Sequence, residues 1–186
     1  MQIYYMKKNI IYLIKEIIPI IVGILIALFI NNWNENRKDK EYIDHIFSSI
    51  RKEFVETNKN IIDKLALQKV FIDTLEFYLE DDKVSILKIT LKAGGINIPS
   101  IRMDSWKAIS SSRIELIDYD KLSSLVSIEE ARENLKMKTE KLMDFTYSNI
   151  NETSKDKKTI IKILMFDIIA TEKAMQEVIE DIINDE

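Results

Sequence analysis

The chain has 186 residues and a net charge of −4, which allows one membrane anchor and one soluble domain of ordinary size. It has no cysteine and a single histidine, His45, so disulfides, thiolate metal sites and histidine-based triads within one chain are excluded. With three glycines there is no glycine-rich phosphate loop, and the acidic balance argues against a general nucleic-acid binder. We therefore predict a protein that is not an enzyme and has no cofactor.

Residues 10–30 form an apolar segment that is interrupted by Lys15 and Glu16. As a helix it would be roughly 31 Å long, about the thickness of one hydrocarbon core. The residues that end this segment are bulky, which disfavours a cleaved signal peptide, and Trp33 follows as an interfacial anchor. The pattern predicts an uncleaved membrane anchor over residues 1–36.

The orientation of this anchor depends on its flanking cations. Lys7 and Lys8 precede the segment, and Arg37, Lys38 and Lys40 follow it. Acidic residues count little in the positive-inside rule, so the two flanks are nearly balanced. We predict that the C-terminal domain is cytoplasmic.

One face of the predicted membrane helix differs from the rest. At about 100° per residue, an acid, small residues and asparagines cluster on the side that carries Glu16. The residues predicted to line a pore on this face are Glu16, Gly23, Ala27, Ile30, Asn31 and Asn34. A Gly-x-x-x-Ala spacing lets helices approach closely, so this face should meet other copies. A packed dimer of anchors and a higher oligomer around a central pore both remain open.

The chain beyond the anchor is predicted to be helical because its apolar residues recur at a three-four spacing. One long helix should continue to about Asp81-Asp82, and Asn58–Lys64 is its weakest part, where the pattern allows a kink or a break. The pattern of Val84–Leu91 fits a short helix or an edge strand. Residues 93–100 have loop composition, and Asp104 is predicted to cap a short helix.

Two more long helices are predicted after another short helix near Asp118. Ser127 and Glu130 form a capping-box pattern that should open a helix ending near Ile150. After a polar turn, the last helix should cover residues 156–183. The fold class is therefore all-α: an N-terminal transmembrane helix continues into a long helix and is followed by a soluble helical bundle over residues 37–186.

Two blocks of the sequence resemble a known family. "GILIALFINNWNENRK", residues 23–38, closely resembles the signature of a family of small bacterial proteins with a single membrane anchor. "SWKAISSSRIELIDYDKL", residues 105–122, is similar to the second block of that family, although Ser112-Arg113 replaces the usual Ser-Gly pair. The resemblance implies a single-pass helical protein of the bacterial inner membrane.

Some proteins similar to this family are effectors of anti-phage systems. In the Hailong-type system, a nucleotidyltransferase makes short oligodeoxyadenylate, which keeps a tetrameric, channel-like membrane partner closed until infection. The resemblance thus implies a homo-oligomer, with a tetramer favoured, that acts as a gated ion channel. It also implies a short single-stranded oligonucleotide ligand and an operon-encoded nucleotidyltransferase as partners. The alternative is a non-conducting membrane-anchored scaffold that binds another protein through its helical domain.

An oligonucleotide ligand needs stacking aromatics and a few cationic groups. These types occur together in one short segment, and the predicted ligand-binding residues are Arg102, Trp106, Lys107 and Arg113. The other interpretation places Trp106 in the core of the bundle and leaves the charges in solvent.

Overall fold

The computed structural model describes the backbone of residues 2–184 and the side chains of residues 15–184, and this part of the chain contains helices and no strand. The helices are α1 (Gln2–Phe77), α2 (Ile86–Lys92), α3 (Asp104–Ser110), α4 (Tyr119–Ser148) and α5 (Lys155–Asn184), with a short 3-10 helix at Ile114–Leu116. The predicted all-α class is confirmed. The side chains of Lys7 and Lys8, which entered the orientation argument, lie outside the described residues.

The chain divides into two compact units, residues 1–45 and residues 46–186. In the first unit, the described part of α1 contains an apolar segment that is long enough to cross a membrane, and none of that segment is buried. Pro19 lies inside this helix, where it removes one backbone donor without ending the helix.

The second unit is built around three long helices: the part of α1 from Ile46 onward, α4 and α5. Their buried positions follow a three-four spacing, as in coiled-coil packing. On α1 they are Ile50, Phe54, Thr57, Ile61, Gln68, Phe71, Ile72 and Leu75. On α4 they are Leu125, Ile128, Leu135, Leu142 and Thr146. On α5 they are Lys158, Ile161, Met165, Ile168, Thr171, Glu172, Met175 and Ile179.

Contacts between side chains give the directions of these helices. Three pairs join α1 to α5 in opposite order along the two helices: Asn58 with Glu180, Gln68 with Glu172, and Glu76 with Lys162. Helix α5 is also antiparallel to α4, since the two are joined by a short turn and by the Lys138–Asp167 ion pair at 2.8 Å. Helices α1 and α4 therefore run in the same direction.

A parallel arrangement of α1 and α4 requires a long return connection. The chain leaves α1 at one end and must reach the other end before α4 begins. This return path consists of helix α2, then the irregular segment of residues 93–103, and then helix α3. Helix α2 begins on the α4–α5 turn, where the amides of Ile86 and Leu87 donate to the carbonyls of Glu152 and Ile150 at 2.9 and 2.8 Å. We call residues 93–103 the strap.

The long helix and the segment after it differ from two expectations. Helix α1 is continuous through Asn58–Lys64, so the chain does not break there; Ile61 within it is fully buried, and packing stabilises the helix at this point. The helix ends at Phe77, a few residues before the predicted Asp81-Asp82. The open choice for Val84–Leu91 is resolved as a helix, α2.

The predicted N-cap role of Asp104 is wrong. Asp104 is the first residue of α3 and not its N-cap; Met103 occupies that position and its side chain makes no capping hydrogen bond. The cap comes instead from α1, where the Glu53 carboxylate accepts from the Ser105 amide at 3.1 Å. The cap is non-local, so a pattern of adjacent residues does not reveal it.

The capping-box pattern of Ser127 and Glu130 lies inside α4 and does not begin a helix. Helix α4 starts after Asp118, whose side chain accepts from the Asp120 amide at 3.0 Å. The predicted short helix near Asp118 and the predicted helix from Ser127 are thus one helix. Leu125 is fully buried, so packing favours a helix that is already formed before Ser127.

A buried lysine closes the far end of α1. Lys158 of α5 is fully buried, and its ammonium donates to the carbonyls of Tyr78 and Asp81 at 2.8 and 2.6 Å. Carbonyl groups at the end of a helix have no partner within the helix and carry partial negative charge. Lys158 thus satisfies the end of α1 where the chain turns toward α2.

Lys158→Met should destabilise the second unit by about 3 kcal/mol, because the carbonyls lose a charged donor that a methionine cannot replace. Lys173→Met is the matched control, since Lys173 is exposed on the same helix, and it should change the free energy of unfolding by less than about 0.5 kcal/mol. Urea unfolding followed by circular dichroism measures both. Equal effects of the two variants would show that Lys158 does not cap α1.

Candidate functional site

The helical backbone of the first unit places Glu16, Gly23 and Ala27 on one face, as the spacing predicts. All three are exposed, and a Cβ atom added at Gly23 would meet nothing within 4 Å. Ile30 is also exposed on this side of the helix. The described residues of a single chain therefore leave this face uncovered.

The polar end of the apolar segment makes local contacts. Asn31 donates to the Glu35 carboxylate at 3.2 Å, one turn further along the helix. Asn34, the last residue predicted to line a pore, is half-buried. The guanidinium of Arg37 lies over the ring of Trp33, 5.9 Å from its centre, while the ring itself stays 61% exposed. An exposed tryptophan beside a cation is typical of an interfacial position.

The residues predicted to bind an oligonucleotide lie on and around α3. Trp106 is 2% exposed, and its Nε1 donates to the Glu129 carboxylate at 2.8 Å. Its ring therefore belongs to the core, in agreement with the second interpretation of this residue, and in this conformation it offers no open face to a base. Arg102 is exposed and pairs with Glu56 at 2.6 Å.

The other two predicted ligand-binding residues differ in exposure. Lys107 is exposed on α3, and Arg113 is half-buried just after it. The structure thus keeps three cationic side chains of the predicted set at least partly accessible, while it places the aromatic ring inside the core.

Four polar residues of α1 that hold the strap and the start of α3 were not predicted from the sequence. We call these four residues, Glu53, Thr57, Asn60 and Gln68, the polar ladder. They bind the backbone in order along the two segments. Gln68 donates to the Asn97 carbonyl at 2.9 Å, and Asn60 accepts from the Ser100 amide at 2.8 Å. Thr57 accepts from the Arg102 amide at 3.2 Å, and Glu53 accepts from the Ser105 amide at 3.1 Å. Irregular backbone packed on a helix needs such partners, because unpaired polar groups are costly to bury. A polar residue at each turn of an otherwise apolar helix face is the signal that could have revealed this role.

The strap begins with a backbone conformation that favours glycine. Gly94 and Gly95 have φ angles of 78° and 92°, in the left-handed region that other residues rarely adopt. The Gly95 amide donates to the carbonyl of Thr90 at 2.8 Å and ends α2. The two glycines thus let the chain turn from α2 onto α1.

A buried carboxyl group lies beneath the strap. Glu172 of α5 is fully buried, and its Oε1 accepts from Nε2 of Gln68 at 2.8 Å. Among the described residues, Oε2 of Glu172 and Oε1 of Gln68 have no hydrogen-bond partner. Burial raises the pKa of the Glu172 carboxyl from 4.5 to about 7, and the hydrogen bond from Gln68 opposes part of this rise. This group therefore titrates near neutral pH.

A shallow groove lies between α4 and α5, with a volume of about 380 Å³. Small and apolar side chains form most of its walls: Ser127, Ile128, Ala131, Asn134, Ala170, Thr171, Ala174, Met175 and Val178. None of them is charged. The described residues contain no group of three side chains able to hold a metal ion.

Comparison with protein-family models, curated proteins and solved structures gives no match to this chain. The family resemblance of the two sequence blocks therefore stays a prediction, and the geometry of the two units is the basis for a function.

Glu172 should make the stability of the second unit depend on pH. A carboxyl group whose pKa is higher in the folded state stabilises that state fully below about pH 4.5, and this contribution is lost as the pH rises through about 7. Relative to Glu172→Gln, the wild type should lose about 3 kcal/mol of unfolding free energy between these limits. The measurement is urea unfolding across this pH range.

Glu177→Gln is the matched control, because Glu177 is exposed on the same helix. Its unfolding free energy should follow the wild type at every pH. If Glu172→Gln and the wild type keep a constant difference instead, the carboxyl group does not titrate as its burial requires.

Proposed function

We propose that this protein is a single-span, homo-oligomeric effector of the bacterial inner membrane, whose N-terminal helices form an ion-conducting pore controlled by the helical unit of residues 46–186. Its role would be to disrupt the membrane in anti-phage defence. The observation that carries the proposal is the uncovered face of α1 with Glu16, Gly23 and Ala27, set within an otherwise apolar surface.

The case for the membrane comes from the exposure of the apolar segment. From Ile17 to Ile30 every side chain is exposed, including Phe29 at 72%. Such a surface is unfavourable in water. It belongs to the apolar segment of residues 10–30, whose length as a helix, roughly 31 Å, matches a hydrocarbon core. A lipid bilayer is the environment that covers most of it.

The case for an oligomer comes from the polar face. A carboxyl group inside a bilayer is costly unless it faces protein or water, so Glu16 should not face lipid. Gly23 and Ala27 remove the bulk that would keep neighbouring helices apart. A pair of helices leaves no channel between them, whereas four helices can enclose one. The proposed assembly is therefore a tetramer with this face turned inward and the helical units in the cytoplasm.

Two features support control by the helical unit: its helix α1 is continuous with the apolar segment, and it has exposed cationic side chains. The same helix, α1, supplies both the apolar segment and six of the buried apolar side chains of residues 46–186. The proposed ligand is a short single-stranded oligonucleotide, made by an operon-encoded nucleotidyltransferase. Arg102 and Lys107 are exposed and suit phosphates, while Trp106 would stack on a base only after leaving the core.

A second candidate function is a non-conducting scaffold. The observation that favours it is a set of exposed apolar side chains on the part of α1 within the helical unit. Ile62 is 53% exposed and Phe77 is 79% exposed. With Val55 and Val70, which are 51% and 49% exposed, they recur every seven or eight residues along one face of α1, and a continuous apolar face of this kind is typical of protein-binding surfaces. A dimer of anchors would be enough for this function.

Single cysteine variants test which face of the helix meets other copies, and the native chain has no cysteine to interfere. Gly23→Cys and Ala27→Cys should form disulfide-linked dimers in membranes under mild oxidation, because close approach brings their sulfurs together. Leu25→Cys, on the opposite face, is the control and should remain unlinked. Non-reducing electrophoresis measures this, and preferential linking through Leu25→Cys would contradict the proposed inward face.

Native mass spectrometry in detergent then counts the copies: four supports the pore, and two supports the scaffold.

Conductance in planar bilayers tests the pore itself. The purified protein should conduct ions, Glu16→Leu should lower the conductance about tenfold, and Gly23→Leu should abolish it by separating the helices. Leu25→Phe adds bulk on the opposite face and should conduct as the wild type does. Short oligodeoxyadenylate should close the channel. A protein that conducts neither with nor without this oligonucleotide is not a pore.

A further inference from the structure

We propose that Gln68 and Glu172 form a proton-operated latch for the strap: a proton on Oε2 of Glu172 keeps residues 93–103 bound to α1, and loss of that proton releases them. This device lies within residues 46–186 and goes beyond the proposed function, since it would operate equally in a scaffold that conducts no ions.

The hydrogen-bond pattern of the pair calls for one more proton. Nε2 of Gln68 has two hydrogens, and it donates one to Asn97 O at 2.9 Å and the other to Oε1 of Glu172 at 2.8 Å. Oε1 of Gln68 and Oε2 of Glu172 are both acceptors when the carboxyl group is ionised, and both are buried without a donor among the described residues. A single proton on Oε2 would satisfy both atoms by donation to Oε1 of Gln68, and it would complete a cyclic acid–amide pair.

Gln68 connects this pair to the strap. Its amide group is shared between α5 and the carbonyl of Asn97, so its orientation is determined from both sides. With the acid–amide pair complete, the second hydrogen of Nε2 points at the strap. Loss of the proton leaves the bond from Nε2 to Oε1 of Glu172 in place, but it removes the donor for Oε1 of Gln68 and puts a charge on the buried carboxyl group.

An ionised Glu172 would lack compensation from nearby charges. Along α1 the nearest cations to Gln68 are Lys64 and Lys69; along α5 the nearest to Glu172 is Lys173. On α4, Lys138 is engaged by Asp167 and Thr171. The strap has no charged residue from Ala93 to Ile101.

None of these cations forms an ion pair with Glu172 in the described structure, and burial and Gln68 are the causes of its altered pKa. A buried carboxylate with one hydrogen bond is costly, and water relieves that cost. The strap is the irregular segment over this group, so its displacement admits water with the least loss of helical structure.

Release of the strap would propagate toward α3. The next contacts of the polar ladder hold the amides of Ser100 and Arg102, at 2.8 and 3.2 Å from Asn60 and Thr57. Both contacts depend on a strap that lies on α1. Arg102 also begins the segment that contains the predicted ligand-binding residues. A change in pH would therefore change the position of that segment on α1.

Hydrogen–deuterium exchange of the full-length protein in detergent tests the latch. Exchange at about pH 6 and about pH 8.5 is corrected for the intrinsic pH dependence of amide exchange, and peptides covering Ser100 and Arg102 are compared with peptides of α4 and α5. In the wild type, protection of the strap should fall about tenfold or more at the higher pH, while α4 and α5 keep theirs. In Glu172→Gln, which is neutral at both values, the strap should stay protected. Glu177→Gln should behave as the wild type does.

Two results would overturn the latch. The first is a strap whose protection has the same pH dependence in the wild type and in Glu172→Gln. The second is equal loss of protection in the strap, α4 and α5, which would indicate general unfolding. If Glu172→Gln does not fold, the infrared C=O band of the protonated carboxyl group in the wild type decides: it should fade as the pH rises through neutrality together with strap protection, and separate midpoints contradict the latch.

Discussion

The parallel course of α1 and α4 is the constraint on which the second unit depends. Two consecutive long helices that run the same way require the chain between them to travel back along the bundle, and most of that path is irregular backbone. Such backbone cannot pair with itself as a helix does, so its amides and carbonyls need partners from elsewhere. Helix α1 provides them through the polar ladder, whose members alternate with core residues such as Phe54 and Ile61. One helix thus serves both the core and the connection.

The helices themselves could be predicted from the sequence, because apolar residues repeated at a three-four spacing specify a buried stripe. The predicted end of the last helix, near residue 183, agrees with α5. The ends that sequence reasoning missed are those satisfied from a distance. Glu53 caps α3 and Lys158 caps α1 across long sequence separations, and no local pattern records such a partner. Conversely, the capping-box pattern at Ser127 does not begin a helix, because packing around Leu125 stabilises α4 before that point.

The candidate sites also divide into features that local geometry predicts and features that depend on distant partners. The common face of Glu16, Gly23 and Ala27 follows from helical geometry alone, so the sequence was enough to find it. The pair of Gln68 and Glu172 was not found, although each is a polar residue at a core position of its helix. Their partnership depends on which helices pack together and in which register. That information is absent from periodicity, as is the choice between core and surface for a residue such as Trp106.

The order of the elements along the chain has a consequence for biosynthesis. The part of α1 within residues 46–186 packs on α5, the last helix of the described chain, through contacts such as Gln68 with Glu172. While a ribosome is still making α5, the apolar stripe of α1 has no final partner, yet the hydrophobic segment near residue 20 has long since emerged. The hydrophobic segment can therefore reach its final environment before the bundle is complete, and the apolar stripe of α1 stays uncovered until α5 has been made.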